Sequence, residues 1–227
     1  SVIPRFDIHI LEMESRSNLR VKTEPQPYLT FSVTGMVDST WVTVKWKDGG
    51  SRLYFTHAVR GAKRIQLMEA DLESGGARLI VADSLPTHVE WTQEITGARP
   101  NWDVLNGGRD VVIFSERDGW GHLYRFDGEG RLQNQITRGP WTVGRILAVD
   151  ESAGRIWFTA RGKENGRIPV MADLYAVNLD GSGLARLGGE DADHSVSATP
   201  DGRFFVDAWS RPDLPPVSVI RDRTGRL

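Results

Sequence analysis

A unit that returns about every fifty residues constrains this chain more than any other feature. Each copy begins at a Gly/Arg step, runs into an apolar strand, crosses a polar loop and enters a second strand ending near Asp-x-x-Gly. The copies are "SRLYFT…IQLMEADLESGGARLI", "GRDVVIFSERDGWGHLYRFDGEGRLQNQI", "GRIWFTARGKENGRIPVMADLYAVNLDGSGLARL" and "GRFFVDAWSRPDLPPVSVIRDRTGRL". Their leading arginines are Arg52, Arg109, Arg155 and Arg203, so the spacings are 57, 46 and 48 residues. A further short strand is expected before each arginine: "WVTVKW", "THVEWTQ", "VGRILAVD" and "HSVSATP". With a polar edge strand such as "ARLI" or "LARL" closing the unit, each copy holds four strands.

Period-2 alternation between Asp-Gly and Gly-Gly turns supports strands throughout, and no stretch keeps a helical period beyond two turns. Four strands recurring at this period are the pattern of a β-propeller, whose sheets bury both faces by radial stacking. A flat sandwich would not require the recurrence. The expected fold is therefore all-β, a propeller fragment of about four blades of four-stranded antiparallel sheets in an incomplete ring. It reads as one partial propeller domain over 1–227: a partial blade at 1–37, blades at 38–86, 87–140 and 141–190, and a partial blade at 191–227. Both ends read as cut within a blade.

Bulk properties exclude several functions. A net charge of −2 gives no long-range attraction to nucleic acid or anionic membrane. No apolar run approaches the roughly 18 residues of a membrane span, and "SVIPRFDIHI" lacks a signal-peptide pattern. The absence of cysteine removes disulfides, thiolate metal sites and a Cys nucleophile. Eight tryptophans, spread from Trp41 to Trp209, suit repeated small cores better than exposed platforms.

Catalytic chemistry is hard to find. There is no G-x-S-x-G elbow, and Gly181-Ser182-Gly183 sits in a hairpin turn. Asp193-His194-Ser195 contains the residue types of a triad, but neighbours on a strand point to opposite faces and cannot form the relay. His9, His57, His88, His122 and His194 are not paired at metal-binding spacings, and Asp180 is the lone acid of "VNLDGSGL". Glu12 and Glu14 read as a solvated edge. No phosphate loop precedes a helix, so neither a metal nor another cofactor is expected. The ornate stretch "SERDGWGHLYRFDGEG", Ser115 to Gly130, reads as a strand end, a turn, a strand and a hairpin, with Trp120 as a cap packed over the sheet.

Three segments resemble the N-terminal propeller of the dipeptidyl peptidase IV family of serine peptidases. These are "SERDGWGHLYRFD", "ITRGPWTVGRILAVDESAGRIWFTA" and the run from "LYAVNLDGSGLARL" through "HSVSATPDGRFFVDAWSRPDLPPVSVIRDRTGRL". The likeness holds one register over residues 40 to 227 and is weak over 1 to 39. It implies a larger exopeptidase that releases N-terminal dipeptides, often after Pro or Ala. In that family a C-terminal α/β-hydrolase domain carries the Ser-Asp-His triad, and a pair of propeller glutamates holds the substrate amine. The resemblance places the triad after this chain and the glutamates before it, so no catalytic residue is assigned here. Some members carry an Arg-Phe pair before an Arg-Pro step along the substrate cleft. In "EITGARPNW" the step is Arg99-Pro100, but Gly97-Ala98 stand in place of the pair. Arg99 is the substrate-facing candidate.

The expected function is the substrate-gating portion of such a peptidase, inactive alone, with peptide substrates and the hydrolase domain as partners. The family implies a periplasmic or other extracytoplasmic setting. Open strand edges make a homodimer an expectation. The alternative is a free-standing propeller that binds proteins without enzymatic activity. A glycan-processing propeller would need convergent carboxylates, which the strand ends lack.

Overall fold

The computed structural model describes residues 7–23, 36–37, 40–41, 44–58, 63–89, 91 and 101–227. Among them the strands run β1 (His9–Leu11), β2 (Asn18–Arg20), β3 (Met36–Val37), β4 (Thr40–Trp41), β5 (Val44–Lys47), β6 (Arg52–Ala58), β7 (Arg64–Asp71) and β8 (Ala77–Ser84). They continue with β9 (Trp102–Leu105), β10 (Asp110–Ser115), β11 (His122–Asp127), β12 (Leu132–Gln135), β13 (Thr142–Asp150), β14 (Arg155–Arg161), β15 (Ala172–Asn178) and β16 (Ala185–Arg186). The last three are β17 (Asp193–Ala198), β18 (Phe204–Arg211) and β19 (Leu214–Asp222).

Pairing follows chain order. Three four-stranded sheets, β5–β8, β9–β12 and β13–β16, are joined by the three-stranded β17–β19 and the pairs β1–β2 and β3–β4. The all-β architecture of four-stranded antiparallel sheets expected from the repeat is met. The chain divides into two compact units, Ser1–Val111 with Phe126–Arg131, and Val112–Arg125 with Leu132–Leu227.

One strand lies elsewhere than the sequence suggested. His88 and Val89 of "THVEWTQ" are outside any strand, and the strand beside β10 is Trp102–Leu105. Turn chemistry decides the placement. Asn106, Gly107 and Gly108 all take positive φ, at 52°, 62° and 86°, matching Asp48, Gly49 and Gly50 at 53°, 64° and 93°. Each triplet is a short 3-10 turn between the first two strands of its sheet. Asn and Asp tolerate the left-handed region and glycine adopts it freely, so "DGG" and "NGG" mark the same corner of the repeat.

In the first unit Ile8, Val21, Leu53, Phe55 and Ala70 form a buried apolar cluster. In the second, Trp157, Leu174, Ala176, Val196 and Phe205 form another, between the β13–β16 and β17–β19 sheets. Trp157 donates Nε1–H to the Arg223 carbonyl at 3.0 Å, which satisfies its polar atom inside that core. Trp91, Trp102, Trp141 and Trp157 are buried as core residues, but Trp120 is 47% exposed, so it is not the closed cap the sequence suggested. The outward face of β18 and β19 also exposes apolar surface, at Phe204, Val206 and Ile220. No helix of the described residues is long and apolar enough to cross a membrane.

Candidate functional site

The sequence candidates scatter. Arg99 lies outside the described residues. Glu12 turns back on its own loop, accepting the N–H of Glu14 at 3.2 Å and of Ser15 at 2.6 Å. His9 is an exposed neighbour of Asn18. His122 is fully buried, with Nε2 at 2.9 Å from the Gly139 carbonyl and Nδ1 at 3.0 Å from Thr137 Oγ1. Thr137 Oγ1 also accepts the Leu123 N–H, so its own proton is left to donate to His122 Nδ1. Burial lowers the His122 pKa, against the pull of the Gly139 carbonyl, and this matches a neutral ring.

Asp193-His194-Ser195 divides as strand geometry requires. The burial of β17 alternates, with Asp193 and Ser195 exposed and His194 buried. Asp193 accepts the Ala172 N–H at 2.7 Å, and no relay joins the three. His194 instead enters a network that the local sequence did not announce. Its Nδ1 lies 2.8 Å from Asp207 Oδ1, a diagonal neighbour across the β17–β18 ladder. Arg221 of β19 donates Nε–H to Asp207 Oδ2 at 2.7 Å and reaches both oxygens of Glu190 at 2.7 and 2.8 Å. On the far side, His194 Nε2 is 3.3 Å from the Glu190 carbonyl and 3.8 Å from Asp173 Oδ1. Asp173 is itself paired with Arg186 at 2.9 Å and Arg167 at 3.4 Å.

Burial alone would lower the His194 pKa, but the hydrogen bond and charge of Asp207 outweigh it and the net direction is up. Burial would likewise raise Asp207, yet His194 and Arg221 hold its pKa down. For Asp173 burial wins over Arg167 and His194, lifting the carboxyl to about 6. The ligand-type atoms of Glu190, His194 and Asp207 lie within 4.8 Å of one another, the spacing of a metal triad. Arg221 pairs with both carboxylates, so its guanidinium fills the place a cation would take. The group is a salt-bridge network.

Two cavities accompany such networks, one in each unit. In the second unit a cavity of about 310 Å3 is lined by Arg167, Ile168, Met171, Asp191, Arg211 and Asp213, next to the Glu190 turn. In the first, a cavity of about 440 Å3 surrounds Glu69, which is 3% exposed and bridges Arg52 and Arg78. Tyr54 is sealed there beneath Gly108, where any Cβ would collide with the phenol, and burial beside Glu69 pushes its pKa up to about 12. Four arginines line this cavity against four carboxylates, so it offers an anion no net attraction.

Comparison with known proteins names the scaffold. Residues 2–216 match the family model for the dipeptidyl peptidase IV (DPP IV) N-terminal region. The chain belongs to this family. A dipeptidyl peptidase 4 of Arthroderma otae is 28% identical over 113 residues, which is 49% of this chain and 14% of that protein. The crystal structure of dipeptidyl peptidase 4 from Porphyromonas gingivalis superposes with a TM-score of 0.77 at 18% identity, covering 96% of this chain and 28% of that one. At that identity the likeness shows the fold, a propeller of the kind the repeat implied. TolB from Acinetobacter baumannii shares it more loosely, with a TM-score of 0.55 at 17% identity over 98% of this chain and 47% of that one. The chain thus spans about a seventh of the curated relative's length.

Proposed function

We propose that this chain is the substrate-gating propeller portion of a dipeptidyl peptidase IV-like serine exopeptidase. Its sheets wall a chamber whose chemistry is done by a hydrolase domain elsewhere in a longer polypeptide, and short or extended peptides enter while folded proteins do not. The observation that carries this reading is the family match over residues 2–216, nearly the whole chain. The residues agree with it. Ser195 is separated from His194 by the plane of its strand, and Ser115 Oγ accepts the backbone N–H and the Nε–H of Arg117. An extracytoplasmic setting and self-association through open strand edges belong to the same proposal.

The test has two parts. The isolated chain should release no product from Xaa-Pro arylamides, and turnover by it would mean that a nucleophile acts within these sheets. The full gene product should release N-terminal dipeptides from short peptides and lose that activity on folded substrates. A gene product that ends at Leu227 would leave the binding-module reading in place, with the exposed Phe204, Val206 and Ile220 face as its contact surface.

A further inference from the structure

We propose that His194 is a structural imidazolium whose proton latches the Gly188–Ala192 turn, holding that wall of the neighbouring cavity in place at neutral and mildly acidic pH and releasing it as pH rises. The geometry of the two ring nitrogens carries the proposal. Nδ1 faces Asp207, whose other oxygen is held by Arg221, so Asp207 is an ionised acceptor and Nδ1 must donate. Nε2 faces the Glu190 carbonyl at 3.3 Å and Asp173 Oδ1 at 3.8 Å. A neutral imidazole donates from one nitrogen only, and its lone pair would then point at oxygen in a fully buried site. Only the doubly protonated ring meets acceptors on both sides.

The turn meets this proton at the Glu190 carbonyl, which two arginines also hold. The Glu190 carbonyl also accepts from Arg167 at 2.7 Å and Arg186 at 2.8 Å, and Arg167 reaches the Ala192 carbonyl at 2.8 Å. A Cβ on Gly188 would come within 3.1 Å of His194 Cε1, so the turn rests on the ring itself. Charged groups approach from every packed element: Asp207 on β18, Arg221 on β19, Asp173 on β15, Arg186 on β16, Arg167 in the β14–β15 loop, and Glu190 and Asp191 in the turn. On β13, Arg145 donates to the Val196 carbonyl at 3.0 Å, one strand position pair away. Protonated His194, Arg167, Arg186, Arg221 and the Arg211 of β18 face Asp173, Glu190, Asp191, Asp207 and Asp213, and loss of the His194 proton leaves one anion in excess. The raised pKa agrees with this direction. Stability from the proton is complete below about 6.5, the value of an unperturbed histidine, and is lost as pH rises through the higher folded value.

Nitrogen NMR of the 15N-histidine-labelled chain tests the latch without reference to any peptidase activity, with His194→Gln used for assignment. Both His194 ring nitrogens should report protonation at pH 7, and the ring should titrate above about 6.5. Hydrogen exchange over Gly188–Ser195, corrected for intrinsic rates, should lose protection between pH 6 and 9, by about tenfold for each unit of pKa elevation. His194→Gln should flatten that response. A neutral His194 ring at pH 7, or protection that does not change with pH, overturns the proposal. If His194→Gln does not fold, the wild-type ring spectra decide alone.

Discussion

His122 and His194 are both fully buried in the same unit, and they are held in opposite charge states. His122 meets a carbonyl on one nitrogen and a hydroxyl that can donate on the other, so a neutral ring satisfies both. His194 meets oxygen acceptors on both nitrogens. A buried imidazole is thus read from its partners: one donor-capable neighbour makes it a neutral packing residue, and two acceptors make it a cation. Glu69 in the first unit is buried as well, but its partners are the guanidinium groups of Arg52 and Arg78.

The largest break in the comparison is removal of Asp207. It is completely buried and takes both His194 and Arg221 as partners. Asp207→Ala leaves His194 Nδ1 without its carboxylate and Arg221 with Glu190 as its remaining anion, and should cost about 3–5 kcal/mol, the scale of breaking a buried pair. Urea unfolding should show it as a lower midpoint with an unchanged slope. Asp207→Asn keeps the shape, so a loss nearly as large would assign the effect to charge. On the neutral side, Thr137→Val removes the hydroxyl that serves His122 Nδ1 and the Leu123 N–H. The unsatisfied groups should cost about 1–3 kcal/mol, and the His194 ring spectrum should not move.

Next in size is pH. His122, with its lowered pKa, contributes stability present above about 6.5 and lost as pH falls below that value. His194 contributes in the opposite sense, lost as pH rises through its elevated value. Asp207, held low, adds stability present above about 3.9 and lost on further acidification. Asp173, raised to about 6 by burial, acts in the same sense as His194, its share lost as pH rises from about 3.9 through 6. The fall above neutrality therefore belongs to His194, with each unit of pKa shift worth about 1.4 kcal/mol at most. His194→Gln should remove the alkaline fall and leave the acid one. An alkaline fall that persists in this variant would move the switch to another group.

Much of this was legible in the sequence, for identifiable reasons. The repeat, the alternation of β17 and the hairpin at Asp127–Gly130 are local patterns, and local patterns are written in consecutive residues. The separation of Asp193 and Ser195 from His194 followed from the strand period alone. The partners of His194 were not legible, because Asp207 reaches it, and Arg221 reaches Asp207, through strand register, while Asp173 comes from the neighbouring β13–β16 sheet, and neighbouring residues encode neither. The misplaced strand before Arg109 has a different cause. "THVEWTQ" has the aromatic and β-branched content of a strand, yet the Asn106-Gly107-Gly108 corner required its strand immediately upstream. Turn geometry outranked propensity.

Trp120 gives the smallest effect and guards the comparison against a confusion. It lies two residues before His122, and its indole is large enough to suggest that it holds the hairpin shut. At 47% exposure about half of it is still in water, and its backbone N–H is already taken by Asp118 Oδ1 at 3.2 Å. The hairpin is held instead by the His122–Thr137–Gly139 bonds and by Trp141, which meets the His122 ring edge-on at 4.9 Å. Trp120→Ala should therefore cost about 1 kcal/mol, the share of a half-covered apolar side chain, and leave the neutral His122 spectrum intact. A loss several times larger, or a His122 ring that becomes charged at pH 7, would mean that the indole and not the threonine keeps water from this histidine.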